Sequence, residues 1–554
     1  MRTLAEPIFV RRSRGPISSS PLLVDANQDG WPEVFVGGPV LQGLTWDGSR
    51  LPRWPQRGHR PFASSPAFGD VHGDGRGKVI AGCDDGRVYA FHADGNRVPG
   101  WPVQTGADVF SSPALADLNG DKALEVVVGS DDGGIYVLRG DGGLEGLTLL
   151  PRRPFVSASP TVADLDGDSV PEIAVGAWDG RVYRWRPGGR EPAAPLATAD
   201  HVIWSSGTAF EVRGQGRQLA FAADRVYVVS HDGTLAPGWP QRTQSWTVSS
   251  PAIVELRPHE AATILVGSEK LYAWDLLGRL RPGWPVSAGD FLWSSPIAFD
   301  LDGDGVREIL IGSWDGGIYA FRPDGSIVPG FPLRTGGAVF ATPGVAPLPS
   351  GEGVLVAASW DGTVRGWRLP CAVFQRGDWL QFRGDPARTG WSPIPAGPAT
   401  GEPGIELPPQ GMPRFEAGRV ESWPAGRGVQ RITVDGSGLA TARRLTALYE
   451  IAGERRPHPV PMVNSNGKFV ALTQPLRAPH RMRFHIECET YDGKRLRWPS
   501  AKEAKFISRP LWWPARFQRG RRPGPAQSTS CSGEPSAEEG RSRSSEPLAE
   551  SPGS

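Results

Sequence analysis

The stretch "SSPALADLNGDKALEVVVGSDDGGIYVL", Ser111–Leu138, decides the fold. Its first strand, "PALAD", is built of small residues that suit a crowded axis. "EVVVGS" and "GIYVL" are apolar at successive positions rather than alternate ones, as in strands covered on both faces. Between them Asp132-Gly133 supplies the positive φ that a tight hairpin requires. The same order (two small residues, proline, strand, acidic loop, strand, Asp-Gly turn, strand) begins again at Ser19, Ser64, Ser111, Ala158, Ser205, Ser249, Ser294 and Ala341. A period of about 45 residues belongs to β-propeller blades. The expected fold is therefore all-β, an eight-bladed β-propeller, and the 72 glycines and 55 prolines spread along the chain agree with many short turns.

A fourth, outer strand is expected around "PGWP", with Trp54, Trp101, Trp239, Trp284 and Phe331 at one position. A large aromatic recurring there is expected to pack between neighbouring sheets. The N-terminal "EPIFVRRSRGPISSSP" resembles an outer strand with no inner strands before it. Ile8 to Arg11 are thus expected to complete the blade built from Ala341 to Leu369, which would remove an exposed edge.

Four of the acidic loops place an oxygen donor at positions 1, 3, 5 and 9. They are Asp25, Asn27, Asp29 and Glu33; Asp117, Asn119, Asp121 and Glu125; Asp164, Asp166, Asp168 and Glu172; and Asp300, Asp302, Asp304 and Glu308. Like charges about 4 Å apart repel by about 4 kcal/mol at an effective dielectric near 20. A hard cation taking six to eight oxygens resolves that repulsion, so Ca2+ is the expected occupant. The competing reading is that these side chains only cap turns through local backbone hydrogen bonds. The second loop departs, with Asp70, His72 and Asp74 followed by Lys78, whose ammonium is expected to form an internal salt bridge. The fifth, sixth and eighth loops lack the donors while their strands persist, which suits a clamp on a scaffold and not a catalytic ion.

"DLDGDGVREILIGS" resembles the FG-GAP and VCBS repeats of integrin-α-like propellers, and "DGGIYAFRPDGSIVPGFP" resembles the blades of quinoprotein-like propellers. "DWLQFRGDPARTGW", Asp378 to Trp391, is similar to a segment that adjoins such propellers in bacterial surface proteins. The resemblance implies the fold and leaves the role open, because these propellers serve many functions.

The expected propeller spans residues 5–395, followed by a Pro-rich linker at 396–413. Residues 414–512 read as short strands with turns at Asn466-Gly467 and Asp492-Gly493, a small β-sandwich. That module resembles immunoglobulin or fibronectin III-like domains appended to bacterial extracellular proteins. From 516 to 554 the chain is Arg, Gly, Pro, Ser and Glu without apolar periodicity, and a disordered tail is expected.

With 60 Lys+Arg against 59 Asp+Glu, the net charge of +1 sets up no global field for nucleic acid. The four cysteines form neither a CxxC pair nor a zinc spacing, and Cys83 reads as a small core residue. No apolar run reaches a membrane span. The N-terminus shows no apolar leader, whereas the resemblance implies an extracellular or cell-surface location.

The sequence contains no nucleophile elbow, zinc helix or phosphate loop, and it lacks the vicinal cysteine pair that quinone-dependent dehydrogenases carry. Just before the inner strands stand Phe62, Phe110, Phe155, Trp204, Trp293 and Phe340. Two roles are open to them: a ring near the channel suited to sugars or peptide side chains, or packing beneath the loops. Trp178, Trp314 and Trp360 in three "WDG" turns are expected to cover blade edges. The expected function is a non-enzymatic, calcium-stabilised scaffold for protein or carbohydrate recognition and adhesion. The alternative is a polysaccharide lyase or hydrolase, whose paired carboxylates sequence cannot separate from the acidic loops.

Overall fold

The computed structural model describes residues 6–188 and 194–396, with side chains to Ser392, and beyond these the strand backbones between 417 and 508. By its contacts the chain forms two compact units, residues 1–511 and 512–554, and the second lies outside the described residues.

Eight sheets follow one another in chain order, antiparallel except where Trp391–Ala396 joins Thr208–Val212 in parallel. Their inner strands are Leu22–Val24, Ala67–Gly69, Ala114–Ala116, Thr161–Ala163, Thr208–Val212, Ala252–Val254, Ile297–Phe299 and Gly344–Pro347. These define blades 1 to 8. Second strands such as Glu125–Gly129 and Glu308–Gly312 are buried along their whole length, because a neighbouring blade covers each face. Their unbroken apolar runs are the sequence record of that double burial.

The small pair that opens each copy has a specific task. The second residue's backbone N–H donates to the corresponding hydroxyl of the next blade, in the order Ser20, Ser65, Ser112, Ser159, Ser206, Ser250, Ser295, Thr342 and back to Ser20. All eight bonds measure 2.9–3.1 Å. Only a closed ring of eight returns to its start. The first residue acts within its own blade, as where Ser111 Oγ accepts from Gly129 N–H at 3.1 Å.

Closure at the rim follows the sequence expectation with a shift of one residue. Phe9–Arg12 pairs antiparallel with Thr363–Leu369 as the outer strand of blade 8, Phe9 opposite Gly366 and Arg12 opposite Thr363. The outer-strand tryptophans also behave as expected. Trp54, Trp101, Trp239 and Trp284 are buried, and each indole N–H donates to a carbonyl of the next blade: Ala93, Gly140, Leu276 and Pro323 respectively.

The axis is closed by a feature the repeat does not contain. Residues 379–392 run across all eight inner strands in turn. The N–H groups of Ala298, Val345, Leu23, Phe68, Leu115, Val162 and Ala209 donate to Trp379 O, Leu380 O, Gln381 Oε1, Pro386 O, Ala387 O, Thr389 O and Gly390 O. The remaining inner strand, that of blade 6, contributes Ile253 O, which accepts from Ser392 Oγ at 3.2 Å. Inner strands of a propeller carry a free edge toward the axis, and this segment satisfies the polar groups there. Arg383 and Arg388, both fully buried, anchor it on carbonyls of blades 1, 2 and 4. Burial pushes both guanidinium pKa values down to about 9.

Beyond the propeller, the strand backbones pair antiparallel into two sheets. Ala417–Ser422, Gln430–Asp435, Lys468–Leu472 and Val463–Ser465 form one, and His458–Pro461, Arg444–Ile451, Arg481–Glu489 and Arg495–Trp498 the other. The side chains that would define a sandwich core, the expected linker at 396–413 past its first residue and the expected disordered tail at 516–554 lie outside the described residues. Among the described residues no helix is long and apolar enough to cross a membrane.

Candidate functional site

Pairing fixes the two ends of the disc. Thr161 lies opposite Ala174 and Ala163 opposite Glu172, so the acidic loop is at one end of a blade, and the entry to the inner strand is at the other with the Asp-Gly turn. The acidic loops therefore share one end and the aromatic entries the opposite one.

At the acidic end, the first Asp of each of the four loops caps the turn with backbone N–H groups, as the turn-capping reading expects. Asp300, for example, accepts from Gly303 at 2.7 Å and Gly305 at 2.9 Å, and Asp25, Asp117 and Asp164 do the same. The Glu at position 9 shows what capping leaves over. In every loop its Oε2 accepts from the N–H of loop residue 2: Ala26, Leu118, Leu165 and Leu301, at 2.7–2.9 Å. Its Oε1 meets a different group in each. Glu33 and Glu125 receive the side-chain amides of Asn27 (2.7 Å) and Asn119 (3.1 Å), and Asn27 also donates to Asp29. Glu172 faces Arg184 and Arg186 at 3.7 and 3.5 Å. Glu308 Oε1, fully buried, has no hydrogen-bond partner among the described residues, and neither does the buried Asp302 Oδ1.

These differences rank the loops as cation sites. In the loop from Asp164 to Glu172, Arg186 pairs with Asp166 (2.6 Å) and Asp168 (2.5 Å), and Arg217 pairs with Asp164. Four carboxylates there face three guanidinium groups, so a protein cation already stands among them. In the loop from Asp300 to Glu308 the only guanidinium within pairing distance among the described residues is Arg322, 3.5 Å from Asp302. Oxygens of Asp300, Asp302 and Asp304 lie within 4.8 Å of one another, as do those of Asp164, Asp166 and Glu172. Burial pushes the Glu308 carboxyl up to about 7, and the charges of Asp302, Asp304 and Asp300 add to it. Glu33 is raised to about 7, again chiefly by burial. Asp121 caps Ala123 and Asp29 caps Trp31, each at 2.8 Å. The second loop is closed as expected: Lys78 is buried, with its ammonium 3.2 Å from Asp74. Arg186 and Arg322 lie 14 residues past their glutamates at equivalent places in the repeat, a spacing by which sequence reading could have found them.

At the opposite end, aromatic rings form a continuous arc across blades 4 to 8. It runs Phe155, Trp178, Trp204, Trp246, Trp293, Trp314, Phe340, Trp360, with successive ring centroids 4.5–6.2 Å apart. Phe155 is 38% exposed, Trp246 and Trp314 are buried, and the others are half-buried. One open role is decided and one expectation changes. Phe62 belongs to the core, 0% exposed and edge-on to Tyr89, because it points inward at the register where Val109 and Val156 also sit. Trp178, Trp314 and Trp360 join the arc, since each turn N–H bonds to the entry segment of its own blade, at Phe155, Phe291 and Ala338. Phe110 is half-buried at the entry to blade 3.

On blades 2 and 3 the turn position occupied elsewhere by Trp178, Trp314 and Trp360 carries Asp84 and Asp131. Asp108, at the entry to blade 3, is bound by Arg60 at 2.9 Å. Burial first, and then the charge of neighbouring aspartates, raises Asp84 and Asp131 to about 7. The aspartate just before the turn glycine has a structural role: Asp85, Asp132, Asp179 and Asp315 each accept from the hydroxyl of a tyrosine four residues on, at 2.6–2.7 Å.

Such a ring of eight sheets, bearing acidic loops at one end and an aromatic mouth at the other, defines an eight-bladed β-propeller. Residues 117–175 match the FG-GAP-like repeat family, which places that repeat on blades 3 and 4. No curated protein matches the chain. Among solved structures it is similar to Saccharomyces cerevisiae Sqt1 (13% identity, 64% of this chain and 97% of that one, TM-score 0.47). It is also similar to BBS1N in complex with ARL6DN (12%, 56% and 93%, TM-score 0.41) and to a europium-containing methanol dehydrogenase (12%, 64% and 86%, TM-score 0.43). Likenesses this distant carry no argument about activity or partners.

Proposed function

We propose that the chain is a non-enzymatic, calcium-stabilised scaffold that recognises protein or carbohydrate at its aromatic mouth, at the cell surface or outside the cell. The supporting observation is the arc of half-buried rings at one end of a channel that the chain's own residues 379–392 close. A shallow mouth lined by aromatic groups is suited to binding, and a sealed axis leaves no passage through the disc. Calcium enters this reading as a clamp. Asp300, Asp302, Asp304 and Glu308 would hold the ion, and Asp302 Oδ1 and Glu308 Oε1 are the buried oxygens that lack another partner. When bound it supplies the positive charge that these carboxylates need. The donor sets at Asp25–Glu33, Asp117–Glu125 and Asp164–Glu172 rank behind it, because an amide or an arginine already faces their glutamates.

The hydrolase or lyase alternative is supported by one observation, the two mouth carboxyls at about 7, since a raised acid beside an aromatic platform suits glycosidic bond cleavage. Residues 414–512 would form the immunoglobulin or fibronectin III-like sandwich behind a linker at 396–413.

The test pairs calorimetry on EGTA-treated and calcium-loaded protein with peptide and glycan arrays. A hundredfold excess of calcium over its Kd should add about 2.7 kcal/mol of stability. Glu308 has a raised pKa in the native state, so without calcium the folded form holds more protons than the unfolded one between pH 4.5 and 7. Calcium-free stability should therefore fall as pH rises through that window, and calcium or Glu308→Gln should flatten the decline. Identical melting with and without calcium at pH 7.5 contradicts the clamp. Empty arrays contradict recognition, and turnover of an array glycan would establish the enzyme.

A further inference from the structure

The mouth joins two unlike halves. The aromatic arc begins at Phe155, two residues before Ser157, whose hydroxyl donates to Asp131 Oδ1 at 3.3 Å. Asp131 is thus the point where rings give way to carboxylates. The charges of Asp108 and Asp131 raise the proton affinity of Asp84, those of Asp108 and Asp132 raise that of Asp131, and the Arg60 guanidinium bonds Asp108 and opposes the rise at Asp84. Three carboxylates against one guanidinium leave an excess of negative charge. Asp84 Oδ1, buried, has no hydrogen-bond partner among the described residues.

Two ligand chemistries fit an aromatic platform with carboxylates beside it, a neutral sugar and an organic cation. A sugar hydroxyl would donate to a carboxylate but would leave the excess charge in place. A cation removes it, and the adjoining ring faces attract the same cation through their quadrupoles, worth about 0.5–2 kcal/mol. The indole N–H groups of Trp178, Trp204 and Trp293, which have no hydrogen-bond partner among the described residues, can donate to the backbone carbonyls of a peptide as readily as to sugar oxygens, so they do not decide between the two.

Building on the recognition role proposed above, we propose that the mouth binds a basic segment of a partner protein, a lysine or arginine whose charged head meets Asp84 and Asp131 while its stem lies along Phe155 and Trp178. The binding pocket is then shared between the turn of blade 2, the turn of blade 3 and the start of the arc.

The test titrates the full-length, calcium-loaded chain with the peptide amide Arg-Lys-Arg-Lys, its citrulline and acetyl-lysine analogue, and cellohexaose, following tryptophan fluorescence and heat. The basic peptide should bind at least tenfold more tightly than its neutral analogue. Asp84→Asn with Asp131→Asn should weaken it at least tenfold, and Trp178→Ala should weaken it severalfold. Affinity should rise from pH 6 to pH 8 as the two carboxyls ionise. Asp232→Asn, on an exposed turn, serves as a control that should bind like the parent, and far-ultraviolet circular dichroism confirms that each variant is folded. Equal binding of the neutral analogue, or no response to the aspartate substitutions in folded protein, overturns the inference. Binding of cellohexaose alone overturns it in favour of a sugar while leaving the recognition role intact. Arrays with no ligand at all overturn the role itself.

Discussion

Replacing Arg388 by alanine is expected to destabilise the propeller by about 3 kcal/mol, read as a lower urea midpoint at unchanged slope. Arg388 is 0% exposed, and its guanidinium donates to Pro21 O of blade 1 at 3.2 Å, Pro66 O of blade 2 at 3.1 Å, and Phe382 O of its own segment. Alanine leaves three carbonyls in a dry site, each costing about 1–3 kcal/mol. Part of that is offset, because the buried charge is itself expensive, as the depression of its pKa to about 9 indicates. Lysine at this position should recover little, since a compact ammonium cannot span carbonyls on two blades as a planar fork does. A change below about 0.5 kcal/mol would mean that the segment lies loosely in the channel.

An equally large loss is expected at the rim. Phe9 is 7% exposed and its ring fills the space beside Gly48 and Gly366, where an added Cβ would stand 2.3 and 2.1 Å from it. Phe9→Ala should cost about 3–5 kcal/mol, because a large ring leaves and the glycines on either side cannot fill the cavity. Deleting residues 1–16 should cost more, since it also removes the ladder to Thr363–Leu369 and bares that strand as an edge open to aggregation. Val10→Ala, on the same strand with its side chain 41% exposed, should stay within about 0.5 kcal/mol. Thermal melts that treat Phe9→Ala and Val10→Ala alike would show that the strand does not close the ring.

The blades were legible because each is a local unit. Paired small residues, an acidic loop and an Asp-Gly turn recur at fixed offsets, and the ring of hydroxyl bonds from Ser20 to Thr342 is the reason the second small residue is always Ser or Thr. The strand at Phe9–Arg12 was legible as an outer strand lacking its blade. Residues 379–392 were visible as a segment, but their place was not, since their hydrogen bonds reach back as far as 367 positions and follow no period. Phe62 stands four residues before its proline, as Val109 and Val156 do, whereas Phe110, Trp293 and Phe340 stand three before theirs, so the spacing that assigns Phe62 to the core was present in the sequence. The acidic loops were found by spacing alone, yet what separates Glu308 from Glu172 is Arg184 on the third strand, where blade 7 has Ala320, which spacing within the loop cannot show.

The sealed ring is the claim on which the mouth, the clamp and the partner all rest. Native-state hydrogen exchange of the inner-strand amides of Leu23, Phe68, Leu115, Val162, Ala209, Ala298 and Val345 tests it most directly. Bonded to residues 379–392, these amides should exchange only through global unfolding, at one common free energy. Exchange at the rate of exposed amides, with the second strands still protected, would mean that the channel is open and the account is wrong.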